Sequence, residues 1–136
     1  MISNEELITA AREARGHAYA PYSEYHVGAA LLANGTIYRG ANMEVQGAAP
    51  LHAEMLTAFN AVFDGSTSFQ KLAVSPSGKS GEAPCGQCQY ILAEFTDDLQ
   101  IIEDTPPEKP FTEYNLRELI GPAYNPQIDH NDNETC

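Results

Sequence analysis

Tyr25–Met43 reads YHVGAALLANGTIYRGANM. Two largely apolar segments flank Asn34-Gly35, a dipeptide suited to a type I′ turn because both central residues of that turn take positive φ. The stretch predicts a β-hairpin with strands over Tyr25–Ala33 and Thr36–Met43. Before it, Asn4–Tyr19 has helical spacing: Leu7, Ile8, Ala11 and Ala14 form one apolar stripe, Ser3 or Asn4 can cap, and Glu5 and Glu6 sit at the positive end. Ala20-Pro21-Tyr22-Ser23 breaks that helix. After the hairpin, Gln46–Pro50 is a loop of small residues. His52–Phe63 then resumes helical spacing through Met55, Leu56, Phe59, Val62 and Phe63, and Asp64-Gly65 ends it. A strand over Phe69–Val74 follows, then a Gly/Pro/Ser loop over Ser75–Pro84 and a short helix over Gly86–Phe95. A strand over Leu99–Ile102, a proline-rich turn over Thr105–Pro110, a strand over Phe111–Tyr114 and a helical turn over Leu116–Ile120 complete the pattern. A hairpin followed by strands alternating with helices predicts an α/β chain whose mixed sheet is covered on both faces. No repeat or linker interrupts it. Residues 1–128 are expected to form one domain, and residues 129–136 a polar tail.

Composition narrows the function classes. The 136 residues suffice for a core without staples. Acids number 19 against 7 bases, a net charge of −12, yet 43% hydrophobic content excludes a wholly disordered chain. No apolar run approaches the roughly 20 residues that span a bilayer. The N-terminus shows neither a basic stretch nor an apolar core of a signal peptide, so the cytoplasm is expected. A strongly acidic surface repels polynucleotides and anionic lipid, leaving a small, neutral or cationic partner. Most of the surplus acid lies in the second half of the chain. It reads either as a solubilising surface or as adaptation to high salt. The three cysteines, Cys85, Cys88 and Cys136, are an odd number, which speaks against a disulfide framework.

One constellation carries chemistry. His52-Ala53-Glu54 opens the helix after the hairpin, and Pro84-Cys85-Gly86-Gln87-Cys88 opens the next one. Helix starts beside strand ends project side chains into one crevice. An imidazole and two thiolates suit Zn²⁺ rather than the oxygen-seeking Mg²⁺ or Ca²⁺, and three protein ligands leave an open position, the mark of a catalytic site. Glu54, two residues past His52, is placed to carry protons without ligating. H-x-E followed by P-C-x-x-C is the signature of zinc deaminases.

From about Leu7 to about Tyr124 the chain resembles the small cytidine deaminases. Besides the metal motif, the resemblance rests on Ala18-Tyr19-Ala20-Pro21-Tyr22-Ser23, Tyr25-His26-Val27-Gly28-Ala29-Ala30, Arg39-Gly40-Ala41-Asn42-Met43-Glu44 and Phe69-Gln70-Lys71-Leu72-Ala73-Val74. It implies a three-layer α/β/α sandwich with a five-stranded mixed sheet. It also implies hydrolytic deamination of cytidine and 2′-deoxycytidine, a step of pyrimidine salvage. By the match, His52, Cys85 and Cys88 bind one zinc, Glu54 is the proton shuttle, and Asn42 and Glu44 hold the ribose hydroxyls. Tyr25 and Tyr124 stand where the family usually has phenylalanines flanking the base. Family members of this length are usually homotetramers with shared active sites, so a homotetramer is implied and Tyr124 can serve a neighbouring subunit.

Departures from the pattern sharpen these expectations. Many short members have cysteine where His52 stands and arginine just after the glutamate, where this chain has Met55. A neutral imidazole and two thiolates balance Zn²⁺ to zero, so no compensating arginine is required. Gln89 and Tyr90 replace the usual arginine and glutamine after the second cysteine, and Gln89 is expected to donate, uncharged, to a thiolate. The Val45–Leu51 loop lacks the family's usual run, which bears on substrate range and oligomer. Other readings are a deaminase of an antibiotic or modified cytosine nucleoside, a polynucleotide-editing deaminase, which the charge disfavours, and a non-enzymatic zinc-stabilised binding module. Glu54 and the missing fourth ligand count against the last.

Overall fold

The Asn34-Gly35 turn forms with positive φ at both residues, 51° and 79°. It joins β1 (Val27–Ala33) to β2 (Thr36–Ala41) in an antiparallel register from Gly28↔Ala41 to Ala33↔Thr36. The computed structural model describes residues 2–78, 84–104 and 111–121. Within them, α1 (Asn4–Arg15) precedes the hairpin, and α2 (Ala53–Phe63), β3 (Phe69–Pro76), α3 (Gly86–Ala93), β4 (Gln100–Asp104), β5 (Phe111–Asn115) and α4 (Leu116–Ile120) follow it. The five strands form one sheet in the order β2-β1-β3-β4-β5. β3 and β4 pair in parallel and the other neighbours antiparallel, which makes the sheet mixed as expected.

Strand alternation divides the core into two layers. Leu31, Leu72, Val74 and Ile101 project to the face covered by α2, α3 and α4, where Ala58, Leu92 and Leu116 meet them. Ala30, Ala73 and Ile102 project to the other face, where Leu7, Ile8 and Ala11 of α1 cover them. Each fully buried leucine or isoleucine contributes roughly 1.5–3 kcal/mol of transfer free energy. Ser3 caps α1 by accepting from the Glu6 amide at 3.1 Å.

Two glycines set how closely the helices approach the sheet. A Cβ on Gly28 would stand 2.1 Å from the Ala11 carbonyl oxygen of α1. A Cβ on Gly40 would stand 2.5 Å from Thr57 Oγ1 and 2.7 Å from Thr57 N of α2. Both close approaches exist only because these residues have no side chain.

Element ends differ from the expected ones for identifiable reasons. α1 stops at Arg15, not Tyr19, because Tyr19 N donates to Asn42 O at 2.9 Å, which pulls the chain onto the end of the hairpin. β1 begins at Val27, because His26 N is taken by Ser77 Oγ and the Tyr25 carbonyl by the Asn42 side chain. β3 continues through Ser75 and Pro76, which were expected in a loop, by pairing with Gly28 and Val27. β4 runs on to Asp104 rather than ending at Ile102. The proline-rich turn over 105–110, Tyr124 and the polar tail lie outside the described residues.

β4 reaches Asp104 by pairing Glu103 and Asp104 with Thr112 and Phe111 of β5, and the Asp104 side chain ties this end to α1. Its carboxylate accepts from Arg12 Nε and Arg12 Nη2 at 2.7 Å each, a bidentate pair, and from Ser75 Oγ at 2.9 Å. Arg15 Nη1 donates to Ser75 Oγ at 3.1 Å and to the Pro76 carbonyl at 2.9 Å. Burial alone would raise the Asp104 carboxyl, but Arg12, Ser75 and the neighbouring charges hold it below the usual range. This polar clamp fastens α1 to the ends of β3 and β4.

Candidate active site

The ends of β1, β2, β3 and β4 and the starts of α2 and α3 enclose a cavity of about 380 Å³. His52 is the N-cap of α2 and Cys85 the N-cap of α3. Both adopt extended backbone, and each precedes a first turn whose amide N–H groups face outward. The Cys85 sulfur accepts from the Cys88 amide at 3.5 Å. An amide donor and the positive end of a helix both favour a thiolate.

His52 Nδ1 lies 3.3 Å from Cys85 Sγ and 3.3 Å from Cys88 Sγ. These donors form the one cluster of His, Cys, Asp and Glu groups fit for a metal among the described residues. Around tetrahedral zinc, with Zn–S near 2.3 Å and Zn–N near 2.0–2.1 Å, nitrogen and sulfur lie about 3.6 Å apart, so the three donors fit one ion with small adjustment. Cys88 is fully buried, and burial, then the charge of Glu54 and the adjacent Cys85, pushes its thiol far above the usual range. Two sulfurs and a carboxyl crowded this way call for a cation, which makes them thiolates. The imidazole–thiolate donor set therefore fits zinc, and nothing in it requires the arginine that Met55 replaces.

Glu54 lines the same cavity and is nearly buried. Burial raises its carboxyl above the usual range, against the lowering effects of a backbone hydrogen bond and His52. That shift brings a carboxylic acid nearer the condition in which it both takes and gives a proton at neutral pH.

Asn42 and Glu44 line the cavity on the β2 side. Asn42 Oδ1 accepts from Val27 N at 2.8 Å and Nδ2 donates to the Tyr25 carbonyl at 2.7 Å. An amide has two N–H groups and two lone pairs on oxygen, so one of each remains for another partner. Glu44 Oε1 accepts from the Tyr22 and Ser23 amides at 3.0 and 3.1 Å, and Oε2 accepts from the Ser23 hydroxyl. The Ser23 hydroxyl first, then these amides, hold the Glu44 carboxyl below the usual range.

Tyr25 also lines the cavity and is partly exposed. It follows Glu24, whose φ of 58° closes the turn begun at Ala20. The Tyr25 ring lies close to Gly78, where a Cβ would stand 2.8 Å from Cε1. Six expected site residues thus line one cavity, His52, Cys85, Glu54, Asn42, Glu44 and Tyr25, and Cys88 lies buried against His52. Tyr124 lies outside the described residues.

Three findings differ from expectation or add to it. Gln89 Nε2 donates to the Pro84 carbonyl at 2.7 Å, so its amide braces the turn that carries Cys85 rather than a thiolate. Glu103 of β4 lines the cavity at 3% exposure, although sequence reasoning ended that strand before it. The signal was present: an acid at the C-terminal end of an apolar strand in an α/β chain stands where ligands bind. The loop over residues 45–51 is closed by paired backbone bonds of 2.9 Å between Met43 and Leu51, and brings Pro50 and Leu51 to the cavity wall.

Residues 1–102 match the model for the cytidine and deoxycytidylate deaminase zinc-binding region. A cytidine deaminase of Sporosarcina psychrophila is 46% identical over 93 residues, covering 67% of this chain and 68% of that one. One from Halalkalibacterium halodurans is 38% identical over 96 residues, covering 69% and 73%. The crystal structure of cytidine deaminase from Burkholderia pseudomallei superposes with a TM-score of 0.77 at 31% identity, covering 86% of this chain and 95% of that one. That of Mycobacterium tuberculosis gives 0.74 at 30% identity, covering 88% and 94%.

Proposed function

Because the chain belongs to the cytidine and deoxycytidylate deaminase family, we propose that His52, Cys85 and Cys88 hold its zinc and that Glu54 moves the protons of its reaction. The reaction is hydrolytic deamination of cytidine to uridine. A C4–O bond forms, the C4–N bond breaks, and ammonia leaves. The observation that carries the residue assignment is the 3.3 Å approach of His52 Nδ1 to both cysteine sulfurs beside the buried Glu54.

Zinc bound there acts as a Lewis acid that makes water nucleophilic near neutral pH. Glu54 accepts a proton from the attacking water and delivers it to N3 of the base, which makes C4 electrophilic. It then takes the proton of the new C4 hydroxyl, which becomes the carbonyl, and passes it to the departing amine. Its raised affinity for protons suits both transfers. Asn42 and Glu44 orient the sugar: the spare N–H and lone pair of Asn42 and Oε2 of Glu44 meet hydroxyls that both donate and accept. Tyr25 lies along one face of the base, where stacking contributes about 1–3 kcal/mol. 2′-Deoxycytidine fits the same arrangement.

A homotetramer is part of this reading. It is supported by the exposed apolar side chains of Phe59 and Phe63 on one side of α2, the latter 96% exposed, and of Tyr19, Tyr22, Val45 and Leu51 near the cavity. Exposed large apolar side chains gathered into patches mark contact sites. Tyr124 is assigned to the base pocket of the same or a neighbouring subunit. Residues 1–128 are assigned to one domain, because all five strands join one sheet. Among the described residues no helix is long and apolar enough to cross a membrane. A site with two required thiolates suits the reducing cytoplasm.

The test is Glu54→Gln. The variant keeps zinc, measured by metal analysis of purified protein, and loses cytidine turnover, measured by ultraviolet absorbance. A Glu54→Gln variant with near wild-type turnover overturns the assignment of the proton shuttle.

A further inference from the structure

We propose that Glu103 is a specificity-determining residue that reads the C4 edge of the base, favouring the amino group of the substrate over the carbonyl of the product. The inference rests on the residue assignment above and extends it to a side chain that assignment leaves unused.

Strand order gives Glu103 its place. Asn42 and Glu44 follow β2, and the sheet runs β2-β1-β3-β4. At about 4.8 Å per strand, β4 lies roughly 14 Å across the sheet from β2. A nucleoside with its sugar held at Asn42 and Glu44 must therefore extend its base towards β4. His52, Glu54 and Cys85 line the cavity beside that path. The part of a pyrimidine farthest from its sugar bond is the edge that carries C4 and C5. Glu103 closes the cavity on that side.

Register gives its direction. Glu103 pairs with Val74 in the parallel β3–β4 ladder, so both side chains project to the α2–α3 face, and both line the cavity. Its neighbour Asp104 projects to the opposite face, onto Arg12. On that face Glu103 has Leu31, Leu72, Val74 and Ile101 along the neighbouring strands and Thr112 opposite it on β5. A buried carboxyl group at a cavity wall is a candidate for function.

The chemistry follows from donor and acceptor count. An ionised carboxylate accepts only, with about four lone-pair sites. The cytosine C4 amine presents N–H groups to it. The uracil C4 carbonyl presents lone pairs, which a carboxylate repels. One side chain thus favours substrate entry and product departure together.

The experiment uses zinc-loaded protein and two variants. Glu103→Gln keeps the shape and adds N–H donors, and Glu103→Leu matches the apolar face. Each is assayed for the KM of cytidine and the competitive Ki of uridine. In Glu103→Gln the ratio of uridine Ki to cytidine KM falls by at least about fivefold, since hydrogen bonds to charged groups are the stronger ones. In Glu103→Leu it falls less. A ratio within about twofold of wild type in every variant that folds overturns the proposal, as does a parallel change of KM and Ki that leaves the ratio fixed. Should neither variant fold, Glu103→Asp, which keeps the charge but draws it back by one methylene, is assayed in the same way. A ratio of uridine Ki to cytidine KM at least about fivefold below wild type supports the proposal, and a ratio within about twofold overturns it. Failure of the wild type to deaminate cytidine would instead refute the assignment of the site itself.

Discussion

Gly40→Ala is the substitution that most directly couples the sheet to the chemistry. The added methyl would stand 2.7 Å from Thr57 N and 2.5 Å from Thr57 Oγ1, whereas ordinary contact begins near 3.4 Å. Backbone must therefore separate from backbone by about 0.7 Å, because Thr57 N belongs to the helix itself. The hydroxyl has no easy escape either, since it donates to the Ala53 carbonyl at 2.7 Å. α2 moves outward, and it carries His52 at its N-cap and Glu54 in its first turn. Metal sites tolerate about ±0.2 Å in ligand distance, so this shift detunes zinc binding. The overpacking costs about 1–3 kcal/mol of stability, and zinc affinity falls by roughly 10–100-fold, the range seen when groups supporting ligands are altered. Chelator competition reads the affinity, a thermal melt of metal-free protein reads the packing cost, and cytidine turnover follows the zinc. A Gly40→Ala protein with wild-type zinc affinity and an unchanged melt would refute the reasoning that this close approach sets the metal geometry.

Further outcomes follow from the same structure. Asp104→Asn lowers stability by about 2 kcal/mol, less than a fully buried pair because Arg12 is 46% exposed. Since Asp104 has a lower carboxyl pKa folded than unfolded, its contribution is present above the unfolded value near 3.9 and is lost as pH falls through the folded value. Melting curves between about pH 5 and pH 2 fall less steeply in Asp104→Asn than in wild type. Removing zinc with a chelator abolishes cytidine turnover and lowers the melting temperature, and added zinc restores both, because three donors crowd at the N-termini of α2 and α3. Glu44→Gln raises the KM for cytidine by about tenfold with zinc content unchanged, a loss typical of a charged hydrogen bond. Because hydrogen bonds hold the Glu44 carboxyl low, wild-type KM does not rise on that account until the pH falls below the usual carboxylate range.

The hairpin, the helix starts and the gathering of His52, Cys85 and Cys88 were legible in the sequence, because each rests on short local motifs. Asn34-Gly35 fixes its own turn, and His52-x-Glu54 and Cys85-x-x-Cys88 carry their spacing within one helical turn. What stayed hidden depends on distant partners. Nothing near Asp104 announces Arg12, which is 92 residues away, and without that pair the strand was expected to end at Ile102. Glu103 was lost with it. Gln89 misled for a related reason: its neighbours suggested a sulfur partner, while the turn of the chain offered the Pro84 carbonyl.

The clamp between α1 and the ends of β3 and β4 also dictates an order of events during synthesis. α1 precedes every strand of the sheet along the chain, yet Arg12 finds Asp104 only after four of the five strands have been translated. At about 5–20 residues per second, several seconds separate the appearance of α1 from that of its partners. Leu7, Ile8 and Ala11 have no sheet to cover in that interval. Closure of the loop of 92 residues that joins Arg12 to Asp104 is therefore a late, long-range event, and such contacts slow folding. A ribosome-bound chain that stops short of β4 lacks a strand that contributes to both layers, so assembly of the native sheet waits for β4 to emerge.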